Sequence, residues 1–459
     1  MTIHLNEDQQ NASSKILDFV KTKQQDFMVL NGAAGTGKST TITYILEHLQ
    51  KDTHVCFTAT TNKAVKVLRT MAAKKNLNVE CITIHSLLGL SMQFKDGKET
   101  LKSGGKSQFG RFDLVVIDES SMVNSELLGF IHRAVNHSGK TQVLFIGDSY
   151  QLPPVGEKMS PVFAINNNVQ LTKVMRQALE NPILKLCTDI RAEIDSGRFN
   201  VPLIVSATNG KNGIHVMENN ENFEAWMPSA FSHENFNDNY DRFRVVAWRN
   251  ATVNRFNDVI QRLRYPDLEL PFAIGEPVTF SKPLHAFSTN SEFQCDTTLG
   301  TGWDTILCST EAEGVIEKVV QVAPFILKPN DEQIAKGFDF KPFVIDRYTA
   351  TVKMLDNDEV VSCAIAGDKV QLNAMLNFVS NHARNGSGNF SWFEFYRLQK
   401  YFAELRPAYS ITTHKSQGST YSNVFIDVND IMSNPDQVEA LRCLYVAVSR
   451  ASENVIIKL

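Results

Sequence analysis

The sequence predicts an α/β fold in which helices cover a doubly wound parallel β-sheet. Four short apolar runs, FMVLN, HVCFTAT, DLVVIDE and QVLFIGD, have the length and composition of buried strands; the last three are rich in β-branched residues, and helical patterns separate the runs. Such alternation is typical of parallel sheets, because each crossover between parallel strands needs a helix. A second block of the same kind begins at residue 244 and resumes at residue 421.

The material between the two α/β halves has a different character. GVIEKVVQVA, KPFVIDRYTATVKML and EVVSCAIAG predict successive antiparallel strands and a small β-barrel, and two helices joined by a glycine-containing turn follow. Within the first half, QFKDGKET carries the Asp-Gly signal of a tight hairpin. The predicted boundaries are 1–90 and 112–175 for the first half, 91–111 for the hairpin, 176–275 and 406–459 for the second half, 276–365 for the barrel and 366–405 for the helical pair.

Composition excludes several classes of protein. No signal peptide and no apolar run of roughly 18 residues is found, so no membrane association is expected. Seven scattered cysteines without a C-x-x-C pair predict reduced thiols in a cytoplasmic compartment and argue against a zinc site. The net charge of −4 excludes a protein that is basic throughout, so a nucleic-acid partner would have to bind in a local groove.

The stretch GAAGTGKST fits the phosphate-binding pattern G-x-x-x-x-G-K-[ST] and lies between a predicted strand and a predicted helix. Glycines allow the backbone N–H groups to surround phosphates at the start of a helix. Lys38 is expected to reach the β- and γ-phosphates of ATP, and the Ser39 hydroxyl to bind Mg²⁺. The predicted nucleotide-binding residues are Gly32, Ala33, Gly35, Thr36, Gly37, Lys38, Ser39 and Thr40.

Polar residues at the ends of two further predicted strands suit ATP hydrolysis. Asp118 in VVIDES is the expected second ligand of Mg²⁺, and Glu119 is placed to orient or deprotonate the attacking water. Gln151 in GDSYQLPPV has the side-chain type that senses a γ-phosphate. Phosphoryl transfer also needs positive charge, for which Arg176 in LTKVMRQ and Arg450 in LYVAVSRAS are candidates. On spacing alone, each arginine fits an ordinary surface position equally well.

The motifs as a set resemble the superfamily 1 helicases of the RecD-like branch. The resemblance runs nearly end to end, through LNEDQQNA, TATTNKAVKVL, TIHSLL, THKSQGST and LYVAVSRAS as well as the motifs above, in the order of the family. It implies two RecA-like motor domains with ATP between them. It also implies that Gln9 contacts the adenine and that Arg176 and Arg450 reach the γ-phosphate from the second motor domain. Members of this branch move 5′ to 3′ on single-stranded DNA.

The resemblance further implies contacts with DNA. Small hydroxyl and amide groups can follow a phosphate backbone without reading its sequence, which suits a motor. The implied contact residues are Thr60, Asn62, Thr83 and His85 in the first motor domain and Trp248, Asn250, Thr413 and His414 in the second. Three alternatives stay open: Thr58–Thr61 fits a helix cap, Trp248 fits the core, and SITTHKSQG offers Thr412 as well as Thr413.

In the resembled helicases a hairpin at residues 91–111 is the pin that splits the duplex, the β-barrel is an SH3-like accessory domain and the helical pair is a tower. The hairpin carries five basic and two acidic residues, a net charge of +3, which is also typical of a solvated loop. Met92, Phe94 and Leu101 are equal candidates to face the first separated base pair. Trp392 of the tower is the candidate to dock on the pin and brace it.

The sequence therefore predicts an ATP- and Mg²⁺-dependent DNA helicase that acts on single-stranded and forked duplex DNA. By resemblance, a single-strand-binding protein or a replisome component is an expected partner, and a monomer is the expected working form. One alternative is an ATPase stimulated by single-stranded DNA that remodels protein–DNA complexes without efficient unwinding. The other, a phosphate-loop ATPase acting on protein, leaves the DNA-side motifs without a purpose.

Overall fold

The computed structural model describes residues 4–50, 52–77, 79–95, 98–174, 180–217, 220–286, 306–386 and 390–459. The chain forms two compact units. The first comprises Met1–Ala230, Asp241–Val253 and Ile411–Leu459, and the second comprises Phe231–Tyr240 and Asn254–Ser410. None of the helices in the described ranges is both long and apolar enough to cross a bilayer.

The strands, numbered in chain order, are β1 Phe27–Gly32, β2 Val55–Ala59, β3 Glu80–Thr83, β4 Leu90–Lys95, β5 Lys98–Ser103, β6 Leu114–Ile117, β7 Gln142–Gly147, β8 Asn168–Leu171, β9 Ala207–Thr208, β10 Gly213–Met217, β11 Phe243–Ala247, β12 Pro277–Phe280, β13 Leu284–His285, β14 Ile306–Cys308, β15 Glu313–Leu327, β16 Phe343–Met354, β17 Val360–Ala366, β18 Leu405–Pro407, β19 Ser410–Thr412, β20 Tyr421–Asp427 and β21 Ala451–Lys458.

The helices are Glu7–Thr22, Lys38–His48, Asn62–Lys74, Ile84–Leu88, Ser125–Ser138, Pro182–Ser196, Asn220–Ser232, Glu234–Asp238, Asn250–Arg264, Asp331–Ala335, Lys369–Arg384, Trp392–Tyr401, Thr413–Ser416, Val428–Met432 and Gln437–Ser449. Short 3₁₀ helices lie at Phe109–Arg111, Ser120–Met122 and Pro161–Ala164.

The first unit contains two sheets of six strands each. The first sheet has the order β3-β2-β6-β7-β1-β8, and all five of its strand pairs are parallel. The second has the order β19-β11-β20-β21-β10-β9, in which β11, β20, β21 and β10 are mutually parallel and β9 is antiparallel. The prediction of a parallel α/β architecture is therefore confirmed.

Strands β2, β6 and β7 of the first sheet are buried on both faces, which explains their nearly continuous apolar sequences. Every residue of Leu114–Ile117 and of Gln142–Gly147 is buried. Local signals define the covering helices: Asn6 and Gln9 form a capping box at the first helix, and Asn124 caps helix Ser125–Ser138, which ends at Gly139 with a φ of 65°. Propensity, capping and burial agree here, so the sequence predicts these elements well.

The predicted hairpin corresponds to the antiparallel pair β4–β5, in which Leu90 lies opposite Ser103 and Lys95 opposite Lys98. Its base is closed by the Gly89 carbonyl, which accepts hydrogen bonds from the backbone N–H groups of Gly104 and Gly105. A Cβ atom at Gly89 would lie 2.7 Å from the Gly105 carbonyl oxygen, so this close approach requires glycine. Residues 96–97 and the side chains of Met92, Phe94 and Leu101 lie outside the described part.

The second unit contains a sheet of five strands with the order β17-β16-β15-β12-β18. The three predicted runs are its antiparallel strands β15, β16 and β17, and β15 continues to Leu327. An aromatic cluster that includes Phe325, Tyr401 and Phe402 packs the helical pair against this sheet. The outer strands of the described sheet are β17 and β18, and its closure into an SH3-like barrel stays a prediction.

In the first unit, the buried carboxylate of Asp430 fixes the turn between β11 and helix Asn250–Arg264. It accepts hydrogen bonds from the backbone N–H groups of Trp248 and Arg249 at 2.7 and 3.1 Å, from Arg249 Nε at 2.7 Å and from the Thr252 hydroxyl at 2.6 Å. Burial alone would raise the pKa of Asp430, but these donors favour the charged form and hold the pKa below its usual value. The start of this helix therefore depends on an ionised Asp430.

We expect Asp430→Asn to destabilise the first unit by about 2 kcal/mol at pH 7, since an amide group replaces a charged acceptor of four donors. A depressed pKa contributes stability above the unfolded-state value of about 3.9, and that contribution is lost as the pH falls through the folded-state pKa. Urea denaturation should therefore show the difference shrinking below pH 4. Asp189→Asn, which removes an exposed pair with Lys185, should cost less than about 0.5 kcal/mol. Equal losses in both variants would contradict this account.

Candidate nucleotide and nucleic-acid site

The phosphate-loop sequence forms a tight turn between β1 and helix Lys38–His48. Gly35 and Gly37 adopt φ values of 78° and 84°, which L-residues with a side chain rarely adopt. The Thr36 hydroxyl donates to the Ala33 carbonyl at 2.9 Å, and a Cβ atom at Gly32 would lie 2.7 Å from the Thr36 hydroxyl oxygen. The glycines of the motif are thus required by the turn itself.

The cationic side chain of Lys38 lies over this loop. Its Nζ atom donates to the carbonyls of Gly32 and Ala33 at 2.5 and 3.2 Å. The helix begins after Gly37, which offers no side-chain cap, and Ser39 and Thr40 lie in its first turn, Ser39 exposed and Thr40 half-buried. The loop therefore combines two features that favour an anion: the Lys38 ammonium group, and backbone N–H groups at the helix start that no side chain caps.

The carboxyl ends of β1, β6 and β7 lie side by side, so Asp118, after β6, and Asp148, after β7, share an edge with the loop. Asp118 keeps part of its surface accessible. Even so, desolvation and the neighbouring Glu119 raise the pKa of Asp118 to about 6, although Lys38 and Arg450 act in the opposite direction. A bound cation would lower the pKa of such a carboxyl group and favour its ionised form.

Glu119 adopts a φ of 51°, which is unusual for a residue with a long side chain. Its Oε1 atom lies 3.5 Å from Nη1 of Arg450, whose side chain is only 8% exposed. The Arg450 guanidinium also donates to the Ser419 carbonyl at 3.3 Å. An arginine that follows the last helix thus lies beside a carboxylate of the first sheet, within the same unit.

Two other predicted nucleotide-site residues are buried and hydrogen-bonded. Gln9 Nε2 donates to the Thr36 carbonyl of the phosphate loop at 3.1 Å, and its amide oxygen accepts from Asn6 N–H. Gln151 accepts a 3.4 Å hydrogen bond from the Ser121 hydroxyl. Gln9 therefore lies against the loop, and its contact with adenine stays a prediction. Arg176 lies outside the described residues.

The predicted DNA-side residues of the first motor half lie at helix starts. Thr61 caps helix Asn62–Lys74 by accepting from Ala64 N–H, so the capping alternative is confirmed for Thr61. Thr60 donates to the Met122 sulfur at 3.3 Å, and Asn62 is exposed. Thr83 caps helix Ile84–Leu88. His85 lies in the first turn of that helix. Burial lowers the pKa of His85, which keeps the imidazole neutral at pH 7.

In the second half, the structure gives Thr413 a role that competes with DNA contact. Its hydroxyl is fully buried and donates to the Ala247 carbonyl at 3.1 Å, and Thr412 is buried as well. Trp248 is half-buried against the core, and Asn250 is exposed. The Thr413 hydroxyl therefore joins β11 to the helix after β19, and a contact of Thr413 with DNA stays a prediction.

His414 belongs to a group of side chains that could in principle hold a metal ion. Its Nε2 atom pairs with the Glu439 carboxylate at 3.2 Å, and ligand atoms of His414, Glu439 and Cys443 all lie within 4.8 Å of one another. Burial raises the pKa of the Cys443 thiol well above neutral pH, so the thiol is protonated. Burial also lowers the pKa of His414, so we interpret this group as a hydrogen-bonded pair of a neutral imidazole and the Glu439 carboxylate beside a core thiol. The six described cysteines are buried and free.

The sequence analysis missed several side chains that join the two halves of the first unit. Lys63 in TATTNKAV pairs with Asp241 at 2.9 Å, and Arg442 and Tyr445 in the last helix contact the segment after β7. The sequence did offer one indication of these contacts, because Tyr445 is a side chain with a polar end in the otherwise apolar run CLYVAV. A phenol in such a run needs a hydrogen-bond partner.

The chain matches two protein families and several relatives. Residues 4–211 match the family described as AAA domain, and residues 407–457 match the UvrD-like helicase C-terminal domain. The chain is 28% identical to the uncharacterized protein R530 of Acanthamoeba polyphaga mimivirus, over 98% of this chain and 99% of that protein. It is 24% identical to the ATP-dependent DNA helicase dda of Enterobacteria phage T4, over 98% of both chains.

Among solved structures, the Pif1 helicase from Bacteroides in complex with ADP-AlF3 and ssDNA matches with a TM-score of 0.47 and 19% identity, over 99% of this chain and 92% of that chain. The end-to-end sequence match to dda, the AAA and UvrD-like matches and the motif order agree with one another. The chain is therefore similar, over nearly its whole length, to the superfamily 1 helicases of the Dda and Pif1 kind.

Proposed function

We propose that the protein hydrolyses ATP to move 5′ to 3′ along single-stranded DNA and to separate the strands of forked duplex DNA. The observation that supports this proposal most directly is the position of Arg450. Its guanidinium, carried by the second half, lies 3.5 Å from the Glu119 carboxylate of the first half. Because residues of both halves meet at this site, the rate of hydrolysis depends on the relative position of the two halves. A motor requires such coupling between hydrolysis and domain position.

The residues of the site fit ATP with Mg²⁺. The loop offers N–H groups at a helix start and the Lys38 ammonium, which suit the phosphates. Ser39 and Asp118 would hold the metal, and a bound cation would oppose the desolvation and the Glu119 charge that raise the pKa of Asp118. When bound, Mg²⁺ would neutralise negative charge on the phosphates of ATP. Gln9, hydrogen-bonded to the loop, is the proposed adenine contact.

Each remaining residue has a chemical task in hydrolysis. Glu119 orients the attacking water and accepts its proton, which its carboxylate can do when it is released from Arg450. Arg450 and Arg176 stabilise negative charge that develops on the transferred phosphoryl group. Gln151 contacts the γ-phosphate. Lys38 holds the β- and γ-phosphates in line for the reaction.

On the DNA side, we propose that exposed amide and hydroxyl groups follow the phosphate backbone. Thr60, Asn62, Thr83 and His85 are the candidates in the first half, and Trp248, Asn250 and His414 in the second. Arrangement at helix starts supports this role for Asn62 and Thr83, because the N-terminal end of a helix favours negative charge. Single-stranded DNA and a single-strand-binding protein are the proposed partners.

For strand separation, we propose that the β4–β5 hairpin acts as a pin through Met92, Phe94 or Leu101. The tight base at Gly89 supports a rigid role for this hairpin. Trp392 is proposed to assist it. The indole is 41% exposed in the first turn of its helix and packs beside Phe395 and Tyr396, so a large apolar surface is available for an interaction.

Two forked DNA substrates, one with only a 5′ single-stranded tail and one with only a 3′ tail, test polarity and the role of Glu119 together. With ATP and Mg²⁺, we expect the protein to unwind the 5′-tailed substrate alone. Glu119→Gln should lower ATP hydrolysis by at least about 100-fold, because an amide cannot accept the proton of water. Gel-resolved unwinding and phosphate release measure both quantities.

Glu126→Gln, which changes an exposed glutamate of helix Ser125–Ser138, is the matched control and should behave as the wild type. Unwinding of the 3′-tailed substrate would overturn the proposed polarity. Hydrolysis stimulated by single-stranded DNA without any unwinding would favour the alternative, a translocase that remodels protein–DNA complexes.

Trp392→Ala should reduce the number of base pairs unwound per ATP by about tenfold, while ATP hydrolysis stimulated by single-stranded DNA stays within about twofold of wild type. The reason is that loss of an exposed aromatic anchor removes about 1–3 kcal/mol of contact without touching the ATP site. Parallel unwinding and phosphate-release assays measure this ratio. Trp226→Ala, which removes another exposed indole (52%), is the control. A ratio equal to that of Trp226→Ala would refute a role for Trp392 in strand separation.

A further inference from the structure

The segment Asp148–Leu152 lies after β7 and is attached to the first sheet by its neighbour β1. Asn31 Nδ2 donates to the Ser149 hydroxyl at 3.1 Å, and Ser149 N–H donates to the Asn31 amide oxygen at 3.2 Å. Because Asn31 immediately precedes Gly32 of the phosphate loop, the segment and the loop share one anchor. The predicted γ-phosphate sensor, Gln151, belongs to this segment.

The second motor half also holds this segment, through its backbone. Arg442 Nη1 donates to the carbonyls of both Ser149 and Gln151 at 2.7 Å. Gln417 Nε2 donates to the Leu152 carbonyl at 3.1 Å. Hydrogen bonds to backbone carbonyls depend on where the chain lies, whatever its side chains are. Arg442 and Gln417 therefore fix the path of the segment relative to the second half.

Tyr445 connects the segment to the phosphate loop. Its hydroxyl donates to the Asp148 carboxylate at 2.5 Å and accepts a hydrogen bond from Ala34 N–H of the loop at 2.9 Å. The Tyr445 side chain is fully buried, and Asp148 is 1% exposed. Apart from Tyr445, the described donor to the Asp148 carboxylate is Tyr150 N–H at 3.0 Å. Losing the phenol hydrogen would thus leave a buried charge with one donor fewer.

Arg442 and Tyr445 lie three residues apart on helix Gln437–Ser449, so they project from one face of it. Arg450 follows directly after that helix. Arg450 lies five positions after Tyr445, which corresponds to a rise of about 7.5 Å along the helix. A short rigid helix therefore joins the hydroxyl that holds the phosphate loop to the guanidinium that lies beside Glu119.

We infer that Tyr445 is a positioning residue for ATP hydrolysis. Its hydroxyl fixes the position of helix Gln437–Ser449, and with it Arg450, relative to the phosphate loop and the segment that contains Gln151. This inference rests on the proposed roles of Arg450 and Gln151. Arg442 acts with Tyr445 from the same helix face. Neither side chain needs to touch the nucleotide, because both act through the backbone and through Asp148.

A second buried tyrosine argues that packing alone does not account for the Tyr445 hydroxyl contacts. Tyr421 is 1% exposed and lies in the same unit, yet its hydroxyl has no hydrogen-bond partner within the part of the chain that the structure describes. A tyrosine can therefore be buried in this unit without hydrogen bonds from its hydroxyl group to a loop amide and a carboxylate. The two contacts of Tyr445 are specific to the nucleotide edge.

The test is Tyr445→Phe, which keeps the ring and removes only the hydroxyl. We expect kcat for ATP hydrolysis to fall by about tenfold or more, because loss of a hydrogen bond to a charged group displaces Arg450 and Gln151 from the positions that the transition state needs. KM for ATP should change by less than about twofold. Steady-state phosphate release at saturating single-stranded DNA and without DNA, together with the thermal unfolding midpoint, provides the measurements.

Tyr421→Phe is the matched control and should keep the wild-type kcat. A kcat for Tyr445→Phe equal to that of Tyr421→Phe would overturn the inference, as would a lower unfolding midpoint with unchanged kcat per folded molecule. Arg442→Met provides a second variant if Tyr445→Phe does not fold, and it should lower kcat in the same way. If DNA fails to stimulate the wild type, the proposed function fails, while the comparison of basal kcat values still tests Tyr445.

Discussion

Parallel pairing of β6, β7 and β1 is the constraint on which the rest of the site depends. The three strands are neighbours in one sheet, so their carboxyl ends meet at one edge and carry the phosphate loop, Asp118 and Asp148 to the same place. No local signal could bring these residues together, since the loop and Asp148 are more than 100 positions apart in the sequence. Crevices at the carboxyl ends of parallel strands are where α/β proteins bind ligands.

The same edge concentrates charge that has lost much of its water. Asp118 shows the cost directly, because its pKa is raised to about 6, and Asp148 is almost entirely buried. Each charge has a partner from the second half: Arg450 lies beside Glu119 and lowers the pKa of Asp118, and Tyr445 donates to Asp148. A buried charge without a partner is strongly unfavourable, so the edge favours the arrangement in which both halves meet. The electrostatic energy of the site therefore depends on the relative position of the two motor halves.

The sequence predicted those features that local physics determines. The continuously apolar strands β1, β2, β6 and β7 and the glycine turn follow from composition and spacing within a few residues. Strands β3 and β8 have only one and two buried residues among four, which is too little pattern to be recognised, and they form because the sheet supplies their partners. The bridge from Tyr445 to Ala34 joins positions 411 residues apart, so the sequence shows the phenol but not its partner.

Hydroxyl chemistry explains why the sequence alone cannot show which threonines are free to contact DNA. A hydroxyl has one proton to donate and two lone pairs. Thr61 uses a lone pair to cap its helix, and no described residue accepts its proton, so the proton is available to an acceptor such as a phosphate oxygen. Thr413 donates its proton to the Ala247 carbonyl and has none left for a phosphate. Sequence identifies the residue type, whereas the direction of its proton depends on the fold.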